Sequence, residues 1–285
     1  MDITTDIRPS PIAGRWYTSD PKKLAASIDA YINAAKLPPI EGEIIGLVAP
    51  HAGHMYSGPV AGYAFAAVRG LKPELVAVIS PMHHPYYEPL LTTSHQAYGT
   101  PLGPLLIDQE AMGVLNSHLS ESLGFSLTPI RRDPEHSLEI ELPFLQRAIE
   151  SKFRLLPVMV RDQSARVTRA LGQALAKALQ GKPALLVAST DLSHFYTQEI
   201  AKTLDTEMLH KIENFDPQGV LDIEEQGKGF ACGKGAVAAV LWAAKELGAD
   251  KVQVLHHATS GDVTGDLSQV VGYGAAVIIR KRSND

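Results

Sequence analysis

Three short apolar runs in this 285-residue chain end in side chains that bind metal or move protons. "LVAP" leads into His51 and His54, "AVISPM" into His83 and His84, and "LVAST" into Asp191 and His194. Neutral imidazole is a metal ligand and, near pH 7, an acid or base, while a neighbouring carboxylate can orient the ring. The single cysteine, Cys232, stands in "GKGFACGKGAVAAVLWAA", where Gly233 and Gly235 open a strong helical pattern. Unpaired N–H groups and the helix dipole favour thiolate at such a position, the form that ligates metal or attacks carbon. Taken singly, each feature has an ordinary reading: a turn histidine, or a cysteine serving as a small hydrophobe. Recurrence at three strand ends is what points to a metal or acid/base site.

The segment "DPEHSLEIELPFLQRA" (133–148) carries His136, Glu139 and Glu141. Residues three apart on a helix share a face, so His136 and Glu139 are expected to address one site and Glu141 to face elsewhere. The plainer alternative is a helix capped by Ser137 with favourable acids in its first turn.

Such residues need elements to hold them. "EIIGLVA" (43–49), "ELVAVIS" (74–80), "RLLPVMV" (154–160) and "ALLVAS" (184–189) are nearly continuous apolar runs, as strands buried on both faces require. "KVQVLHHA" (251–258) and "GYGAAVIIR" (272–280) add two late strands. Ser19, Asp20 and Pro21 open a helix whose face is Leu24, Ile28, Tyr31 and Ile32. Further helical spacing covers residues 59–68, 138–150, 165–179, 202–212 and 236–247. Segment 85–106, rich in Pro, Thr and Tyr, reads as an irregular or hairpin excursion. Strand and helix alternating with short links predict an α/β/α sandwich around a mixed, largely parallel sheet. In such sheets ligands bind beyond the carboxyl ends of the strands, where all three polar clusters would gather.

Composition narrows the function classes. With 45% hydrophobic and 20% charged residues the chain can bury a large core, and one domain is expected rather than two. A formal charge of -5 gives no nucleic-acid footprint, and Arg131-Arg132 and the terminal "RKRSND" read as solvated surface. One cysteine excludes an internal disulfide framework and fits a reducing compartment. "MDITTDIRPS" is polar, no apolar run reaches membrane-spanning length, and a cytoplasmic protein is expected.

"AGRWY", "APHAGHMYSG", "SPMHH", "EHSLEIELPF", "STDLSHF" and "CGKGAV", in this order, resemble the Memo family, called AmmeMemoRadiSam system protein B in prokaryotes. The likeness runs over nearly the whole chain and implies a single Memo-like domain, residues 1–285. It implies a fold like that of the class III extradiol dioxygenases, non-haem iron enzymes that open catechol rings. It also implies that His51, His83 and Cys232 are the metal ligands and that Asp191 and His194 line the same pocket as catalytic groups. His136, Glu139, His84 and Tyr56 would support them, with Tyr56 bonding an incoming anion and His54 steadying its neighbours. Two imidazoles and a thiolate, in place of two imidazoles and a carboxylate, change the preferred metal and its redox behaviour.

Three function classes follow. The favoured one is a redox enzyme using Fe(II), or copper, on a small molecule or modified macromolecule, although the ligand types would accept zinc as well. The second is a metal-free or zinc hydrolase or transferase with Cys232 as nucleophile. The third is a binding module for an anionic, phosphotyrosine-like group. By the same resemblance, a radical SAM protein and an AMMECR-type protein are expected partners.

Overall fold

A computed structural model describes residues 6–281; "MDITT" and the final "RSND" lie outside the described residues. The chain opens with β1 (Ile7–Arg8), α1 (Pro21–Ala34), β2 (Glu43–Ala49), α2 (His54–Ala67) and β3 (Leu75–Pro81). There follow β4 (Leu90–Thr93), β5 (Ala97–Thr100), β6 (Gly103–Leu106), α3 (Gln109–Leu123) and β7 (Thr128–Ile130). A 3-10 turn (Glu139–Glu141) runs directly into α4 (Leu142–Ala148), and β8 (Arg154–Val160), α5 (Ala165–Leu179) and β9 (Ala184–Ser189) complete the central part. The last third comprises β10 (His194–Tyr196), α6 (Gln198–Glu213), α7 (Pro217–Glu225), α8 (Lys234–Glu246), β11 (Lys251–Thr259), α9 (Gly261–Thr264) and β12 (Val270–Arg280).

Nine strands form the main sheet in the order β10-β12-β2-β9-β3-β8-β4-β7, with β11 also paired to β12. The central four, β2, β9, β3 and β8, are mutually parallel, and they are the four apolar runs read from the sequence. β12 flanks them antiparallel on one side and β4 on the other, so the sheet is mixed. Every residue of β3 is buried, which is why its sequence lacks the polar alternation of a half-exposed strand. Helices α1, α2 and α4 pack together on the β2–β12 side, while α3, α5 and α8 form a second group against β3, β8 and β9.

The parallel run sets the location of the chemistry. Because β2, β9 and β3 are adjacent and point the same way, the residues that follow Ala49, Ser189 and Pro81 emerge along one rim.

Several elements differ from the sequence reading. α2 begins at His54, not near residue 59, because Gly53 caps it and His54 N donates to Trp16 O. The helix expected over 138–150 is a 3-10 turn followed by a short α4, with Pro143 in the first turn of α4. Segment 85–106 holds β4 and a β5–β6 hairpin, to which β1 adds in parallel. α3 and α7 had no counterpart in the sequence reading. No helix among the described residues is long and apolar enough to cross a membrane.

Candidate metal centre

His51 follows β2, is 2% exposed, and meets the rings of His83 and His136 edge-on at 5.2 and 5.4 Å. His83, beyond the end of β3, stacks on His136 at 4.9 Å. One ligand atom from each of these three histidines lies within 4.8 Å of those of the other two. His136, expected only as a supporting residue, therefore stands in the cluster itself.

Two of the rings are hydrogen-bonded through Nδ1, and the third has its Nδ1 beside the same carboxylate that serves the second. His51 Nδ1 lies 2.9 Å from Ser189 Oγ, while His83 Nδ1 and His136 Nδ1 lie 3.0 and 3.3 Å from one oxygen, Glu135 Oε1. The same carboxylate accepts the backbone N–H groups of His83, His136 and Ser137. Burial opposes its charge, yet the His83 hydrogen bond, the two imidazoles and these N–H groups hold Glu135 far below the usual carboxylate range. A fixed anion thus backs two rings of the cluster. On the other side, Trp16 stacks on His136 at 4.0 Å.

Burial and the mutual repulsion of the rings keep His51 and His136 neutral. His51 is lowered well below its ordinary value by burial and by His136 and His83, and His136 is lowered to about 4 by burial above all. Neutral imidazole is the form that ligates.

Cys232 sits just before Gly233, the N-cap of α8, as the helical pattern implied. Its Sγ lies 3.2 Å from His51 Nε2 and accepts Asp191 N–H at 3.3 Å. Burial, with Asp191's charge behind it, pushes the thiol pKa up, opposite in direction to the pull expected of a helix N-terminus. Gly233 is required by close approach, since a Cβ there would strike Ser189 O. Asp191 accepts His51 N–H at 2.7 Å, places Oδ2 4.0 Å from His51 Nε2, and is raised to about 7 by burial.

A family model described as Memo-like protein matches residues 8–277. The chain belongs to the Memo family. Similar proteins include a MEMO1 family protein of Nitrosopumilus maritimus, 35% identical over 96% of this chain and 100% of its own length. Another, from Pyrobaculum aerophilum, is 34% identical over 96% and 99%. A third, from Thermotoga maritima, is 35% identical over 95% and 99%. A crystal structure of an uncharacterized Escherichia coli K12 protein aligns with a TM-score of 0.42 at 13% identity, covering 82% of this chain and 100% of that one.

The remaining predicted positions of this Memo-family chain divide in two. His194 stays at the site: its Nδ1 bonds Leu192 O at 2.7 Å, so Nδ1 carries the proton and Nε2 is the free base. Burial lowers His194. His84 is half-buried and its charge lowers His136. Tyr56 is 37% exposed and lines a pocket of about 500 Å³ with Trp16, Phe195 and Tyr273. Glu139 is elsewhere: its carboxylate takes Arg8 Nη1 at 2.6 Å, Tyr17 Oη at 2.6 Å and Ser10 Oγ. His54 turns into the core, where Nε2 bonds Ile140 O at 3.2 Å.

Three contributors escaped the sequence reading. Glu135 carried a signal, an acid adjoining His136, but nothing marked it as shared by two rings. Ser189 looked like the last residue of a strand. Arg8 holds the loop that carries Glu135 and His136, with bonds to Asp133 Oδ1 (2.7 Å), Asp133 Oδ2 (2.9 Å) and Glu135 O (2.8 Å).

Proposed function

We propose that this Memo-family protein is a metal-dependent redox enzyme whose ion is held by His51, His83 and His136, with Fe(II) as the ion and copper as the alternative; zinc, which has no redox chemistry, would fit the same ligands without that activity. The observation that carries the reading is the cluster of three ligand atoms within 4.8 Å, each on a ring anchored from behind. Bonds of about 2.1 Å place two nitrogens on one ion no more than about 4.2 Å apart, so loading requires only a small contraction of the widest pair. Three neutral imidazoles suit zinc, copper and iron alike, and the nearby Cys232 sulfur biases the site toward soft, redox-active metals. When bound, such an ion supplies Lewis acidity and, if it is iron or copper, one-electron chemistry.

The protein's own groups supply the rest. His194 Nε2, unprotonated because Nδ1 serves Leu192 O, is placed to accept a proton from a substrate hydroxyl. Asp191, raised to about 7, holds or releases a proton near neutrality beside His51. The Trp16–Tyr56–Phe195 pocket offers room for an organic substrate, a small molecule or part of a modified macromolecule. The Cys232-nucleophile alternative draws less support, since burial keeps the thiol protonated. Kinship with the class III extradiol dioxygenases, the prokaryotic AmmeMemoRadiSam name, a cytoplasmic setting and partnership with radical SAM and AMMECR-type proteins belong to the same reading and rest on family resemblance.

Anaerobic loading with Fe(II), Cu(I) and Zn(II), followed by mass-spectrometric metal analysis, tests it. Wild type should retain about one ion per chain, and His51→Ala, His83→Ala and His136→Ala should each lose it. Retention by all three variants would sink the assignment.

A further inference from the structure

One hydroxyl sits behind His51 with three partners and a single proton to share. Ser189 Oγ lies 2.9 Å from His51 Nδ1, 2.7 Å from Ser137 O and 2.6 Å from Glu141 Oε1. A hydroxyl has one hydrogen and two lone pairs, and a backbone carbonyl can only accept. All three short contacts are satisfied in one arrangement alone: Ser189 donates to Ser137 O and accepts from both His51 Nδ1–H and a protonated Glu141. Any other placement of the hydroxyl proton leaves two acceptor oxygens facing each other across a short gap.

We propose that Ser189 and Glu141 form the positioning pair of His51, fixing its proton on Nδ1 so that the Nε2 lone pair faces His83 and His136. The surroundings favour the neutral acid this requires. Glu141 is fully buried, and its Oε2 has no hydrogen-bond partner among the described residues. A charged carboxylate with a bare oxygen there would cost far more than an acid. Burial raises Glu141 well above its ordinary value, and Asp191 adds to the rise. The three rings are therefore anchored in two ways, His83 and His136 by an anion and His51 by a neutral chain.

The proposal rests on the metal-site reading for affinity, but the tautomer can be read without metal. In metal-free protein carrying 15N-imidazole, long-range proton–nitrogen correlation should show His51 as the Nδ1–H form in wild type. Ser189→Ala should lose that uniformity and weaken Zn2+ binding about 10- to 100-fold, and Glu141→Leu, which removes a bond that holds Ser189 in place, should weaken Zn2+ binding by a similar factor. Glu141→Gln, whose amide can still donate to Ser189 Oγ, should keep the wild-type tautomer and bind Zn2+ within about threefold of wild type. The proposal is overturned if folded Ser189→Ala keeps the Nδ1–H form with unchanged affinity, or if Glu141→Gln fails as badly as Glu141→Leu. Should Ser189→Ala misfold, the Glu141 pair decides. If wild type binds no Zn2+, the metal reading fails and the tautomer comparison alone settles this one.

Discussion

His54 should make the fold acid-sensitive in a way that a single substitution removes. The ring is 5% exposed and packs between Tyr17 at 5.1 Å and Phe144 at 4.8 Å. Nε2 bonds Ile140 O, so Nε2 carries the proton, and Nδ1 has no hydrogen-bond partner among the described residues. Burial therefore lowers the pKa to about 4, against 6.5 for an exposed ring. The sign follows from proton counting. Between pH 6.5 and 4 the unfolded chain binds the proton and the folded chain does not, so stability falls as pH falls. At pH 5 the loss from this one ring is about 2 kcal/mol, and at pH 7 only about 0.2 kcal/mol. His54→Phe keeps a ring in the same slot and cannot titrate. Urea unfolding of both proteins, metal-free, at pH 7 and pH 5 isolates the effect, since any pH-independent packing change cancels in the difference. His51 and His136 also lose stability toward acid, but they do so in both proteins. The variant should lose about 2 kcal/mol less than wild type between the two pH values. Equal losses would mean that His54 titrates normally and that the buried, half-satisfied ring is wrongly described.

Arg8→Met should destabilise the fold by about 3–5 kcal/mol, because Asp133 and Glu139 would be left buried without their cation; a loss below about 1 kcal/mol in urea unfolding would contradict this. Glu135→Gln removes the shared anchor of His83 and His136 and should weaken Zn2+ binding about 10- to 100-fold, measured by competition with a chelating dye; unchanged affinity would refute its role. Gly272→Ala would drive a Cβ into the Asp205 carboxylate, which accepts Ser193 N–H at 2.9 Å beside His194. Loss of several kcal/mol is expected, and a melting temperature equal to wild type would show that the contact relaxes freely. Burial of the Cys232 sulfur raises its thiol pKa and should protect it from alkylation. Labelling of metal-free protein at pH 8 should be far slower than in urea, and equal rates would restore the thiolate reading.

What was legible in the sequence is what local spacing encodes. The runs at 43–49, 154–160 and 184–189 are strands with those bounds, because each is buried along most of its length and ends where polar residues begin. The 165–179 helix is equally plain, with a periodic apolar face over its full length. Parallel neighbours then make the gathering of His51, His83 and Asp191 at one rim a consequence of topology. α3 was hidden by Gly113 and a mostly polar surface, although Ala111, Met112, Leu115 and Leu119 form its buried stripe.

The carboxylates behind the rings were less legible. Glu139 and Glu141 do face different ways, but Arg8, far away in sequence, claims Glu139, and Glu141 is the one that reaches Ser189 behind His51. No spacing rule on a single helix can see a guanidinium arriving from β1. Cys232 taught the same lesson about environment. Its place before α8 was evident, but burial outweighs the helix terminus in setting its proton affinity.

The central claim, one ion on three imidazoles, is tested most directly by anomalous diffraction at the metal edge from an anaerobic crystal of Fe(II)- or Zn(II)-loaded protein. The account predicts one strong peak about 2.0–2.2 Å from a nitrogen of each of His51, His83 and His136. A peak bound through Cys232 without His136, or a loaded crystal with its metal elsewhere, would contradict it.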